Sequence, residues 1–153
     1  MKTIKENLRT IIFGIEDSFV STTGVVVGLI AAGTSKETVL AAGLITVVVE
    51  ATSMGAGEFI YNDDNPKKGK EAMKKGWLML VSYLLAGLWV MVPLFIGIRE
   101  NPIIVAFTFF NLFLLGLWRG TILKGNKLKY ALTTVAVSGV ACAFGIAVGI
   151  FFR

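Results

Sequence analysis

Asp17, Glu50, Met54 and Glu58 are the side chains with the clearest capacity for chemistry, and they fall within long apolar stretches where such groups are costly. An ionisable residue inside a membrane-spanning helix costs about 2.5–3.5 kcal/mol on insertion scales and normally faces other helices or a watery path. Carboxylate oxygens are hard ligands that suit Mg²⁺, Ca²⁺ and Mn²⁺, whereas a thioether favours softer ions. The mixed set suits Fe²⁺ or Mn²⁺ best. Carboxylates buried in this way also compete for protons, so one of them can exchange a proton for a metal ion. A carboxylate pair is equally able to carry protons against an organic cation.

The spacing puts these groups on two facing stripes. Thr46, Glu50, Met54 and Glu58 recur every fourth residue and so share one helix face. Asp17, Ser21, Gly24 and Gly28, at intervals of four, three and four, share another. The turn between the two helices centres near Ser35, almost midway between Asp17 and Met54. Antiparallel helices rising equally per residue then hold Asp17 and Met54 at one depth, with Glu50 about one turn deeper and Glu58 at the mouth. Thr46, Ser21, Gly24 and Gly28 are expected to support the path. Most of these residues also have a plainer reading: Met54 and the glycines as packing, Glu58 as a helix end, and Asp17 with Glu16 as lying outside the bilayer; Glu50 is hardest to dismiss, since placing it outside would leave segment two too short.

The elements that must carry these stripes follow from composition. Of 153 residues, 55% are hydrophobic and 16% charged, against about 25% charged in soluble domains, and mean hydropathy is +0.75. Five segments, at about 10–32, 38–60, 77–98, 102–118 and 130–152, are long enough to cross a bilayer, which takes about 20 apolar residues. They are continuous apolar runs, so helices are expected, not alternating barrel strands. The expected fold is one all-α transmembrane domain over 1–153, with a kink at Pro93 in segment three. Twelve of the 15 Lys and Arg residues fall at the N-terminus and in the loops 61–76 and 119–129. That asymmetry predicts a cytoplasmic N-terminus and an external C-terminus. It also accounts for the net charge of +5 without nucleic acid. Asp63 and Asp64, among the loop lysines, offer a weak means of concentrating cations at the mouth. Glu16 and Asp17 interrupt the apolar run that a cleaved signal peptide would need.

Enzyme chemistry finds little support. With no histidine, the Ser–His and Cys–His nucleophile pairs are excluded. With Cys142 alone there is neither an intrachain disulfide nor zinc-ligand spacing. No phosphate-binding glycine loop occurs, and no resident cofactor is expected.

The run Gly14-Ile-Glu-Asp-Ser-Phe-Val-Ser-Thr-Thr-Gly-Val-Val-Val-Gly28, followed by Glu50-Ala-Thr-Ser-Met-Gly-Ala-Gly-Glu58, resembles the vacuolar iron transporter family, with its D-G-x-V-S-T-x-G and S-M-x-x-G-E-Y motifs. Ser82, Gly87 and Pro93-Leu94 are similar to the family's S-x-x-x-x-G-x-x-x-x-x-P-L run. Ser18 and Phe59 depart from the motif Gly and Tyr. The resemblance implies a five-helix homodimer that exports Fe²⁺ or Mn²⁺ from the cytosol by proton antiport, along a path at the dimer interface. By motif, Asp17 and Met54 would be path ligands and Glu58 the motif acid, whereas Glu50 rests on the burial argument alone. Only 16 residues join segments two and three, where eukaryotic members carry a cytoplasmic metal-binding domain. The compact form points to a prokaryotic plasma membrane, or to a vacuolar or other organelle membrane in a eukaryote. Two competing readings stay open: a small proton-coupled exporter of organic cations, and a membrane scaffold whose acids pair with a partner's basic residues.

Overall fold

A computed structural model describes residues 2–62 and 69–153. Asp63, Asp64, Asn65-Pro66, Lys67 and Lys68 lie outside the described residues. The helices are α1 (Lys2–Ala31), α2 (Lys36–Asn62), α3 (Gly69–Val90), the short α4 (Val92–Phe95), α5 (Asn101–Ile122) and α6 (Lys127–Phe151). Among the described residues there is no strand.

Local sequence accounts for each break. Gly33 ends the α1 turn at φ +76°, a conformation that costs glycine little, and the Ser35 hydroxyl accepts from the Thr38 N–H at 3.2 Å to start α2. Segment three is not one helix. It stops at Val90, and α4 begins after Met91 with Pro93 in its first turn, where the missing N–H of proline costs nothing. Pro102 occupies the matching position in α5, and Asn126 caps α6 by accepting from the Lys129 N–H at 3.1 Å.

Successive long helices alternate in direction. Contacts between α2 and α3 pair Gly55 with Gly76 and Gly43 with Met91, so these helices are antiparallel; α5 and α6 likewise pair Gly116 with Ala131 and Gly120 with Lys127. Helix α1 packs between the two hairpins. Against α6 it runs parallel, and a Cβ on Gly28 would stand 2.7 Å from the Gly145 carbonyl oxygen, so the two backbones touch. Thr23 and Thr108 hydroxyls bond at 2.9 Å between α1 and α5. Val26, Val47, Met91, Leu94 and Ile104 fill the core on one side of α1, and Phe19, Val90 and Leu112 on another.

Large apolar side chains such as Ile45, Leu85, Phe110, Val137 and Phe144 face outward, as in a bundle solvated by lipid. Four helices are long and apolar enough to cross a membrane: Glu6–Ala31, Lys36–Asn62, Asn101–Ile122 and Lys127–Phe151. Helix α3 is absent from that set because Lys70, Glu71, Lys74 and Lys75 fill its first turns and the Met91 break shortens its apolar part. The protein is an integral membrane protein.

Candidate functional site

The centre of the site is a residue that the sequence did not single out. Tyr83 lies on α3 where that helix meets α1 and α2. The Ser18 hydroxyl of α1 donates to the Tyr83 carbonyl at 2.8 Å. One turn further along α3, Gly87 admits Val47 of α2 and Ser18 of α1 into van der Waals contact. The Tyr83 side chain is wholly buried. Its hydroxyl donates to the Glu50 carboxylate and lies 2.5 Å from the Ser21 hydroxyl. A phenol has one proton to give, so Ser21 donates to Tyr83 as Tyr83 donates to Glu50. Three helices thus contribute to one hydrogen-bonded chain, Ser21 to Tyr83 to Glu50. Asp17, one turn from Ser21 on α1, lies within the electrostatic field of Glu50 and of its neighbour Glu16.

A second group of polar residues sits at the end of the bundle formed by the start of α1, the end of α2 and the start of α3. The Thr10 hydroxyl donates to Glu58 at 3.0 Å. The Lys75 ammonium donates to Glu6 at 3.1 Å and to Asn62 at 2.9 Å, with only 12% of its side chain exposed. A cleft of about 420 Å³ opens among Glu6, Arg9, Thr10, Glu58, Asn62 and Lys75.

Glu50 and Glu58, one in each group, are separated by two helical turns of α2, or about 12 Å. Met54 lies between them, half-buried. The contacts Thr10–Glu58 and Ser21–Tyr83–Glu50 bracket Asp17 and Met54, which therefore lie at similar depth on α1 and α2. Thr46 continues the stripe one turn beyond Glu50 and is half-buried. Gly24 and Gly28 are not brought to the Tyr83 chain; their close neighbours are Gly145 and Gly149 on α6. Asp17, Glu50, Met54 and Glu58 do not converge into one cage: among the described residues, no three His, Cys, Asp or Glu side chains stand together as a metal site. Separated oxygen donors of this kind can pass a cation from one to the next, and the Ser21–Tyr83–Glu50 chain can hold or relay a proton.

Glu16 and Asp17 are adjacent but differently employed. Glu16 accepts from Arg119 of α5 at 3.1 Å, whereas Asp17 makes no ion pair among the described residues.

Sequence reasoning missed Tyr83, Thr10 and Lys75. The available signal was a hydroxyl-bearing aromatic in mid-segment, away from the interfacial positions where tyrosine usually lies. Its i+8 relation to Lys75 also puts both residues on one face of α3.

A model of the VIT family matches the chain over residues 8–65 and 60–150. No curated protein matches it.

Proposed function

We propose a function from one premise: the chain belongs to the VIT (vacuolar iron transporter) family, and so to the membrane transporters of metal ions. This member exports Fe²⁺ or Mn²⁺ from the cytosol in exchange for protons, along a route between α1, α2 and α3. The metal enters past Glu58, passes Met54 and Asp17, and meets Glu50, which the Tyr83 hydroxyl holds in position. The observation that carries the reading is the Ser21–Tyr83–Glu50 chain with Asp17 beside it, a set of polar groups within otherwise apolar helices. Such a set is expensive in a bilayer, and ionisable groups kept there mark ion or proton pathways.

The chain crosses the membrane five times with its N-terminus in the cytoplasm. Helix α3 supports this: it runs beside α1 and α2 from Lys75, opposite Glu6, to Met91, against Gly43 and Val26. After α4, Arg99 donates to the Thr34 carbonyl in the α1–α2 turn at 2.8 Å. The bundle end that holds Lys74, Lys75, Arg119 and Lys127 is the cytoplasmic one.

Two copies pair through the α2 face, where Val49, Thr52, Ser53, Ala56 and Gly57 are exposed. Small residues there allow close helix contact, and pairing doubles the donors available to a metal that one copy only partly surrounds. A prokaryotic plasma membrane suits so compact a form.

The test is flux into proteoliposomes that enclose a metal-sensitive dye, with Fe²⁺ (kept reduced), Mn²⁺, Mg²⁺ and Ca²⁺ offered separately. Entry of Fe²⁺ or Mn²⁺ in preference to Mg²⁺ and Ca²⁺, with the preference reduced in Met54→Leu, is expected. Absence of metal entry from folded protein overturns the reading and favours a scaffold. Flux indifferent to Met54→Leu removes the thioether from the path.

A further inference from the structure

We propose that the cleft between the cytoplasmic ends of α1 and α5 is a binding site for an anionic phospholipid, whose phosphate sits between Arg9 and Arg119. The inference rests on the membrane orientation given above, and is independent of which ion is transported.

The cleft is about 520 Å³ in volume, within the range of small-molecule sites. It is lined by two basic residues, Arg9 and Arg119, and by apolar ones that include Ile12, Phe13, Ile122 and Leu123. Arg119 is held ready from two sides: Glu16 accepts one of its N–H groups at 3.1 Å, and its guanidinium stands 5.7 Å over the Tyr130 ring. The remaining guanidinium donors match a phosphate. Arg9 is exposed and forms no ion pair among the described residues.

The cleft also holds two acids, Glu6 and Glu16. Glu6 is engaged by Lys75 and Glu16 by Arg119, which leaves the charge of Arg9 outstanding. The neighbouring turn adds Lys124, and the start of α6 adds Lys127 and Lys129. A bilayer supplies anionic headgroups at this level, and basic pockets between helices on the cytoplasmic side are where such headgroups bind.

The apolar walls select a lipid over a free anion. Phe13 is 51% exposed, and an acyl chain running from the headgroup toward the bilayer centre would cover it. A free phosphate would gain nothing from it.

Trp118, next to Arg119 and 43% exposed, provides the reporter. Trp77→Phe with Trp89→Phe leaves it as the sole tryptophan, since the chain has three. This protein is reconstituted in phosphatidylcholine with a minor fraction of either dibrominated phosphatidylglycerol or dibrominated phosphatidylcholine, and bromine quenching of Trp118 is read. Roughly thirtyfold tighter association of phosphatidylglycerol is expected from two basic side chains at the headgroup, at about 1 kcal/mol each. The preference should fall by about fivefold in Arg9→Gln and in Arg119→Gln, and survive in Lys124→Gln. Retention of phosphatidylglycerol over phosphatidylcholine by wild-type protein in native mass spectrometry repeats the comparison without the tryptophan changes. Equal association of the two lipids overturns the proposal. So does a preference undiminished by both arginine substitutions, since loop charge alone would then explain it. Loss of the preference on adding inorganic phosphate would mean that the site reads phosphate and not lipid.

Discussion

Tyr83→Phe is the sharpest perturbation of the proposed path, because it removes one oxygen and leaves a wholly buried ring in place. Glu50 loses the hydroxyl that donates to it, and Ser21 loses its acceptor. A hydrogen bond to a charged group contributes about 1.5–3 kcal/mol, which corresponds to roughly ten- to hundredfold in an equilibrium constant. Loss of a group that orients a metal ligand costs about the same, 10–100-fold in affinity or activity. We therefore expect the half-saturating concentration for Mn²⁺ or Fe²⁺ entry into proteoliposomes to rise by about ten- to hundredfold. Thermal unfolding in detergent separates this from general damage: a buried polar group left unpaired costs about 1–3 kcal/mol of stability, so the variant should melt somewhat lower yet remain folded. Trp89→Phe is the control, because it also removes one side-chain donor from α3, the bond to Asn111 at 3.2 Å, but on the exposed side. Wild-type concentration dependence in Tyr83→Phe, with the protein folded, would refute the claim that Tyr83 positions Glu50 for the ion.

Lys75→Met removes a tethered cation from the mouth. Unit charges a few ångströms apart with water access interact by about 1 kcal/mol, so half-saturation should fall by about fivefold in the same flux assay. Glu16→Gln breaks a partly exposed ion pair to Arg119, worth about 0–1 kcal/mol, and metal entry should stay near wild type, whereas Asp17→Asn beside it should abolish entry. Gly149→Val would drive a side chain into the Gly28 backbone of α1; a melting measurement should show a loss of about 1–3 kcal/mol from overpacking, with the order of metal preference unchanged.

The apolar runs made the helices legible, because lipid-facing residues must be apolar whatever the helix packs against. They did not mark where helices begin. Helix α1 starts at Lys2, well before the apolar run at Thr10, and α3 starts at Gly69, before the run at Trp77; charged turns continue a helix beyond the bilayer without interrupting it. Pro93 announced a distortion, and the helix is interrupted at Met91, whose own backbone stays in the helical region. Gly24 and Gly28 pack on α6 and do not continue the Asp17–Ser21 face toward the Tyr83 chain, so of the expected stripes only the α2 spacing and the Asp17–Ser21 pair were readable. Tyr83 was not, because a periodicity argument works within one helix or one hairpin. The approach of α3 to both α1 and α2 depends on Gly14 and Gly87, glycines indistinguishable in sequence from those that pack α1 on α6.

If metal crosses between α1, α2 and α3 in exchange for protons, as proposed, every ion that enters must drive protons out. The most direct test encloses a pH dye and a metal dye in the same proteoliposomes and adds Mn²⁺ outside with no initial pH difference. Mn²⁺ entry should be accompanied by alkalinisation of the lumen, and both signals should vanish together in Asp17→Asn and in Glu50→Gln. Mn²⁺ entry with no proton movement, or entry and proton movement that survive both substitutions, would contradict the account.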